Sequence, residues 1–236
     1  FLLINCCKKD FLESDTTNII SEDMDAFTIG IDCLKELTRQ KVYLSTSSNI
    51  EFEDLDVEQY IFDGKYPSGN SSFHIQNIQP MTKNTKTWTI NWQDVLRIGK
   101  SLASGNFCNE NYVSLCGPAC NSPKLIKTNL GANMQEIAAG TFDGEVRKVA
   151  GSLLYGRYGD NYSDYLTRHS NQISLVADEP KATLFNWLKS GAQDHSSSNV
   201  FLSSILKPET FSFDTNINGG FRAIVPIGVF DEVNPF

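Results

Sequence analysis

The amino-acid sequence predicts a mainly α-helical protein of the α+β class, with irregular loops and a β-hairpin at its C-terminus. Apolar residues recur at helical spacing in four segments, which predicts four amphipathic helices. Near the end of the chain, the Asn218-Gly219 pair between two apolar runs is typical of a type I′ hairpin turn. With 236 residues, of which 40% are hydrophobic, the chain is long enough to bury a sizeable core.

The first half of the chain contains two of the predicted helices. In residues 22–40 the apolar positions lie three or four residues apart, at Met24, Phe27, Ile31 and Leu34. In residues 88–105 a similar apolar face includes Trp88 and Trp92 as aromatic anchors. Residues 41–70 between them combine an acidic stretch with turn-forming Pro, Gly and Asn, so we expect a long surface loop there.

The second half contains the other two helices and the hairpin. Residues 105–123 hold three cysteines among Asn, Gly and Pro, which predicts an irregular loop. The longest helix is predicted over residues 134–158, interrupted by its glycines. A shorter helix is predicted between Pro180 and Gly191, marked by Leu184, Trp187 and Leu188. Residues 211–229 surround the Asn-Gly pair and form the predicted hairpin.

The charge and composition exclude some classes of partner. The net charge is −8, and no cluster of Lys and Arg provides a face for phosphates. The sequence therefore argues against binding to nucleic acid or to an anionic membrane surface. Charged residues make up only 20% of the chain, and Asn, Ser and Thr are frequent. Such a neutral polar surface suits a secreted or cell-surface protein.

The chain begins with a short apolar run that ends at two cysteines and then becomes charged, in the sequence Phe1-Leu2-Leu3-Ile4-Asn5-Cys6-Cys7-Lys8-Lys9-Asp10. The run is too short to span a bilayer. It is typical of the end of a signal peptide in which Cys6 or Cys7 is acylated. This predicts a processed lipoprotein-type N-terminus over residues 1–13 and a single helix-rich binding domain over residues 14–236. The alternative is a buried edge strand with two core thiols.

The spacing of titratable residues indicates no metal site. The three histidines, His74, His169 and His195, stand far apart, and none has the neighbouring ligands of a zinc site. The sequence also lacks a glycine-rich phosphate loop. We therefore expect no metal, no cofactor and no enzymatic activity.

One segment is compatible with nucleophilic catalysis. The sequence Cys116-Gly117-Pro118-Ala119-Cys120 resembles the nucleophile segment of C39-like thiol peptidases, with His169 as a base and Asp178 as the group that orients it. Pro123 interrupts the helix that lowers the thiol pKa in such enzymes. The alternative is a structural disulfide in an oxidising compartment, formed among Cys108, Cys116 and Cys120.

Four separated segments of the chain, taken in order, form a pattern found in a known family. They are Cys7-Lys8-Lys9-Asp10-Phe11-Leu12-Glu13, residues 88–102, the stretch from Gly144-Glu145-Val146-Arg147 to Tyr155-Gly156-Arg157-Tyr158-Gly159-Asp160, and Val225-Pro226-Ile227-Gly228 with Glu232-Val233-Asn234-Pro235. These segments resemble those of SusD/RagB-like outer-membrane lipoproteins of Bacteroidetes. Together they cover about a third of the chain. Members of that family are usually much longer.

The resemblance implies tetratricopeptide-like helical hairpins, a lipid anchor on the extracellular face of the outer membrane, and a SusC-like, TonB-dependent outer-membrane transporter as partner. The implied function is the non-catalytic capture of a nutrient, either an oligosaccharide or a peptide. Sugars bind to flat aromatic faces. The aromatic residues available for this are Trp88, Trp92, Tyr112 and Tyr66. Core packing is the alternative role of Trp88 and Trp92.

Two other functions stay open at this stage. One is a structural subunit of an extracellular or virion assembly, which fits the neutral polar surface. The other is a papain-like thiol hydrolase that uses Cys116.

Overall fold

Parallel strands with helices between them form most of the first of two units in the chain. The first unit comprises Phe1–Tyr112 and Lys127–Leu130, and the second comprises Val113–Ile126 and Gly131–Phe236. The computed structural model describes residues 1–10, 12–14, 17–47, 52, 55–64, 66–159, 164–178, 190–192 and 201–208. The predicted boundary at residue 13 stays a prediction.

The first sheet is parallel and has four strands in the order β3-β2-β1-β4. Its strands are β1 (Leu2–Asn5), β2 (Val42–Thr46), β3 (Glu58–Ile61) and β4 (Trp88–Asn91). Every residue of β1 and β2 is buried. Strands of this kind read as continuous apolar runs because both faces of a parallel sheet are covered. The strand order changes direction between β1 and β4, which makes this position the switch point of the sheet.

Four helices accompany this sheet: α1 (Thr17–Glu22), α2 (Met24–Thr38), α3 (Ser71–Ile78) and α4 (Trp92–Ser104). Helix α4 begins directly after β4, and the side chain of Asn91 caps it by accepting a hydrogen bond from the backbone of Asp94 at 2.8 Å. Helices α2 and α4 cross at Gly30 and Gly99, where their backbones approach closely. Helix α3 packs through Ile75 onto the sheet face that carries Leu3 and Tyr43.

Most of a mixed sheet of five strands, in the order β6-β5-β9-β7-β8, belongs to the second unit. The elements of this half of the chain are β5 (Glu110–Cys116), β6 (Lys124–Asn129), α5 (Met134–Ala138), β7 (Val146–Ala150), β8 (Arg157–Tyr158), β9 (Gln172–Ala177) and α6 (Ser203–Leu206). Residues 110–112 of β5 and 127–129 of β6 are part of the first unit. Strands β5 and β9 are parallel, whereas β7 is antiparallel to both of its neighbours. The core of the second unit includes Val113, Leu115, Met134, Ile173 and Leu175, all fully buried.

The prediction of a mainly α-helical fold with tetratricopeptide-like hairpins is wrong, because two sheets organise the chain into an α/β fold. The helix expected over residues 22–40 is confirmed as α2. The loop expected over residues 41–70 instead contains the buried strand β2 and the edge strand β3. The segment 88–105 is helical only from Trp92, because β4 precedes it.

The second half of the chain departs further from the sequence prediction. The irregular loop expected over residues 105–123 contains the largely buried strand β5. The long helix expected over residues 134–158 ends at Ala138, and β7 and β8 follow it. The helix marked by Leu184, Trp187 and Leu188 and the hairpin at 211–229 lie outside the described residues. Within the described ranges, no helix is both long and apolar enough to cross a membrane.

Candidate functional site

The carboxyl ends of the parallel strands in the first unit are the place where doubly wound folds bind ligands. We call this region the carboxyl edge. It comprises Asn5 at the end of β1 and Cys6 and Cys7 after it, Ser45 and Thr46 at the end of β2, Phe62 after β3, the turn of residues 66–70, and His74 in the first turn of α3. Strands β1 and β2 thus each end in polar side chains at this edge.

The buried side chain of Asn5 connects three parts of the carboxyl edge. Its amide nitrogen donates to the carbonyl oxygen of Gly69 and to Oγ of Ser71, both at 2.9 Å. Its Oδ1 accepts two hydrogen bonds, one from the backbone N–H of Cys7 at 2.9 Å and one from the Ser45 hydroxyl at 3.5 Å. The amide therefore has a partner at each atom, and it links β1 to β2 and to the turn of residues 66–70.

The turn of residues 66–70 closes the carboxyl end of β1. Gly69 lies against the backbone of Lys8 so closely that a Cβ atom on Gly69 would stand 1.7 Å from the Lys8 carbonyl oxygen. Asn70 then caps α3 by accepting the backbone N–H of Ser72 at 3.2 Å. Only glycine fits at position 69, since any side chain would push the turn away from β1.

His74 is fully buried beneath this turn. Its Nε2 lies 2.6 Å from the carbonyl oxygen of Ser68, so Nε2 donates the hydrogen bond. Its ring stacks on Phe62, with centroids 4.0 Å apart and planes inclined by 19°. Burial lowers the pKa of His74, and the Ser68 hydrogen bond opposes this only in part. His74 is thus neutral near pH 7, and its acceptor nitrogen Nδ1 has no hydrogen-bond partner among the described residues.

The two thiols at the carboxyl edge are protonated. Burial is the main cause that raises the pKa of Cys6 well above its usual value. Burial also raises the pKa of Cys7 to about 12, although a hydrogen bond with Ser45 opposes the rise. A thiol needs to form a thiolate to act as a nucleophile or metal ligand. These cysteines therefore act as small apolar side chains of the interior.

The carboxyl edge is built from neutral groups: an amide, hydroxyls, thiols, an imidazole and aromatic rings. Oγ1 of Thr46 is buried there without a hydrogen-bond partner in the described part of the chain. Throughout the described ranges, no cluster of three His, Cys, Asp or Glu side chains is placed to hold a metal ion. These groups offer hydrogen bonding and stacking, and the charged side chains of Lys9, Glu13 and Asp63 act on the two thiols from nearby.

The structure brings together two of the four aromatic residues predicted to bind a ligand. Trp92 is the first residue of α4 and is 2% exposed, and its ring centroid lies 6.0 Å from that of Tyr112. Trp88 begins β4 and is 71% exposed. Tyr66 lies in the turn at the opposite end of the sheet. Trp92 is therefore a core residue, and a ligand-binding role for these aromatics stays a prediction.

The lipid-anchor prediction concerns residues that the structure places inside the sheet. Strand β1 pairs with β2 on one side and with β4 on the other, so it is a central strand and not an edge strand. Cys6 and Cys7 follow it and are 3% and 5% exposed. This arrangement agrees with the alternative of core thiols, and acylation of either cysteine stays a prediction.

The proposed thiol-hydrolase residues are not arranged as a catalytic group. Cys116 is buried at the end of β5, and its Sγ donates to the carbonyl oxygen of Ile173 at 3.5 Å. Asp178 instead binds Arg147 at 2.6 Å. His169 is exposed, and His195 lies outside the described residues.

The predicted disulfide is not formed in the structure. Cys108 and Cys120 are half-buried free thiols. They belong to different units. A cross-link among Cys108, Cys116 and Cys120 stays a prediction.

Sequence reasoning missed the residues of the carboxyl edge. A signal for some of them exists: Asn5 directly follows the apolar run Leu2-Leu3-Ile4, and Ser45 follows Val42-Tyr43-Leu44. A polar residue at the end of a short buried run is typical of a parallel strand that ends at a ligand-binding edge. No local signal connects Gly69 or His74 to Asn5, because more than sixty residues separate them in the chain.

Comparison with known proteins gives consistent matches for both units. Residues 2–107 match the family model described as the NqrA second alpha/beta domain, and residues 112–159 match the one described as the NQRA C-terminal domain. The boundary between these matches lies close to Tyr112, where the main segment of the first unit ends, although the second match also includes Lys127–Leu130 of that unit.

Full-length relatives give the same result. The chain is 35% identical to the NqrA subunit of the Na(+)-translocating NADH-quinone reductase of Neisseria meningitidis serogroup B, over 99% of the chain and 53% of that relative. It is 36% identical to the same subunit of Psychromonas ingrahamii, over 95% of the chain and 51% of that relative. The chain therefore spans about half the length of the curated relatives it matches.

A solved structure shares the fold. An NAD+-reducing [NiFe]-hydrogenase in the air-oxidized state aligns with a TM-score of 0.53 and 12% identity, over 75% of this chain and 40% of that chain. At that identity the likeness concerns the fold alone.

These matches contradict the resemblance to SusD/RagB-like lipoproteins. The four segments that suggested it cover about a third of this chain, whereas the similarity to the subunit of Neisseria meningitidis extends over 99% of it. The inferences drawn from it are wrong as well: a non-enzymatic nutrient-binding function, a TonB-dependent transporter as partner, and an outer-membrane location. The alternatives of a thiol hydrolase and of a virion component have no support in these matches.

Proposed function

We infer that the chain belongs to the NqrA family of the Na(+)-translocating NADH-quinone reductase, and we propose that it is part of that oxidoreductase. The observation that carries the proposal is the extent of the similarity, 35% identity over 99% of the chain. Two domain models from the same protein also match consecutive segments in residues 2–107 and 112–159. Because the chain spans 53% of that relative, the activity of the complete subunit is part of the proposal.

The partners follow from the same proposal. The relatives are named as one subunit of an enzyme that reduces a quinone with NADH and translocates Na⁺. We propose the other subunits of that reductase as the binding partners of this chain. Its location is then at the membrane across which the reductase moves Na⁺.

The carboxyl edge suggests which part of the reaction takes place elsewhere. In doubly wound folds a dinucleotide binds at the switch point, where a glycine-rich turn lets its pyrophosphate approach a helix N-terminus. The corresponding turn after β1 reads Asn5-Cys6-Cys7-Lys8, and Gly69 lies directly against the Lys8 carbonyl oxygen. The Asn5 amide is fully engaged in holding this arrangement. We propose that NADH binds outside the carboxyl edge and that this sheet serves as a closed scaffold.

Co-purification tests the place of the chain in the reductase. An affinity tag on the natural gene product, isolated from detergent-solubilised membranes of the cells that make it, should recover the other reductase subunits. The recovered material should reduce a quinone with NADH in a Na⁺-dependent manner. A Gly99→Ala variant, which disturbs the packing of α2 on α4, should recover less of both. Recovery of the protein without these subunits, or with a TonB-dependent transporter, would contradict the proposal.

Hydrogen exchange tests the role of the carboxyl edge separately. Addition of millimolar NADH to the purified protein should leave the exchange of backbone amides in residues 5–8 and 66–70 unchanged. An Asn5→Ala variant should exchange faster in both segments with or without NADH, because the linking amide is lost. Protection of these segments by NADH in the unmodified protein would show that the edge opens for the dinucleotide, and would refute this part of the proposal.

A further inference from the structure

We draw no further inference here: the strongest candidate, the patch of exposed side chains Tyr155, Arg157, Tyr158 and Tyr165 at the edge strand β8 of the second unit, carries none, because nothing in the described part of the chain shows what covers it.

Discussion

Replacement of Gly99 by Ala tests the packing that holds α2 against α4. A Cβ atom on Gly99 would stand 1.6 Å from the carbonyl oxygen of Ala26 in the facing helix. Ordinary van der Waals contact begins near 3.4 Å, so the two helices would have to separate by about 1.8 Å. The obstructing atom belongs to a helix backbone, and it therefore cannot move aside by a change of rotamer. Gly30 would meet the carbonyl oxygen of Val95 at 2.3 Å, which places both glycines at one close crossing.

Two effects of opposite sign decide the stability of this variant. In a helix interior, Ala is favoured over Gly by about 1 kcal/mol. Overpacking of a close-packed interface costs about 1–3 kcal/mol, and more where backbone has to move. Because the overlap at Gly99 is with backbone, we expect overpacking to prevail. The free energy of unfolding of the first unit should fall by about 2 kcal/mol.

Hydrogen exchange of the α2 and α4 amides at increasing urea concentration measures the stability of the first unit separately from that of the second. The matched control is Ala103→Gly, the reverse exchange at an exposed position of the same helix. Ala103 lies in the last turn of α4, so helix propensity should lower the stability of this control by less than about 1 kcal/mol. If Gly99→Ala were as stable as the unmodified protein or more stable, the helices would not cross as closely as the structure has them, and the reasoning would be refuted.

Three further predictions concern the carboxyl edge. Asn5→Ala should lower the free energy of unfolding by about 3 kcal/mol in urea titration, because buried partners lose their hydrogen bonds. As a control, replacement of the exposed Asn106 by Ala should lower the free energy of unfolding by less than about 0.5 kcal/mol. Equal losses in the two variants would contradict the linking role of Asn5. At about pH 8, iodoacetamide should label Cys6 and Cys7 only after unfolding. The reason is that burial raises both thiol pKa values, that of Cys7 to about 12. Rapid labelling of these cysteines in the folded protein, detected by mass-spectrometric mapping, would refute this. Burial lowers the pKa of His74 below its usual 6.5, so the unfolded chain binds the proton first and stability should fall as the pH drops below about 6.5. Over that pH range the urea midpoint of the His74→Gln variant should fall less than that of the unmodified protein. If both midpoints fell equally, His74 would be excluded as the cause.

Helix α2 could be predicted from the sequence because it lies on a surface and alternates between a buried and an exposed face. Its buried residues include Phe27, Ile31 and Leu34, at the spacing that the sequence shows. Strands β1 and β2 could not be recognised in the same way. Both of their faces are covered, so the runs Leu2-Leu3-Ile4 and Val42-Tyr43-Leu44 are apolar without alternation, and such short runs do not distinguish a strand from a piece of buried helix.

The segment 134–158 shows how helical spacing can mislead. Val146 and Val149 stand three residues apart, but they are β-branched and lie in strand β7. Gly140 and Gly144 precede this strand with φ angles of +72° and +73°, the left-handed conformation that ends a helix. The glycines therefore separate a short helix from a strand, although the sequence pattern indicates only a local interruption of one helix.

The carboxyl edge depends on contacts that no local pattern contains. Asn5 becomes a linking residue only because β1 lies beside β2 and because the turn before α3 returns to the end of β1. The same reasoning changes the meaning of Cys6 and Cys7. An apolar run that ends at cysteine is compatible with a lipoprotein-type N-terminus and with the central strand of a parallel sheet, and the strand order places this run in such a strand.

The content of the carboxyl edge bears on the proposal that the dinucleotide binds elsewhere. The strand order 3-2-1-4 is the arrangement in which many proteins bind a dinucleotide at the switch point. That function depends on small residues after β1 and on space above them. Here the turn of residues 66–70 packs against the segment after β1, with Gly69 against Lys8, and His74 lies beneath this turn, stacked on Phe62. The contacts that stabilise this edge are buried and uncharged, so opening it for a pyrophosphate would break the Asn5 hydrogen bonds to Gly69, Ser71 and Cys7.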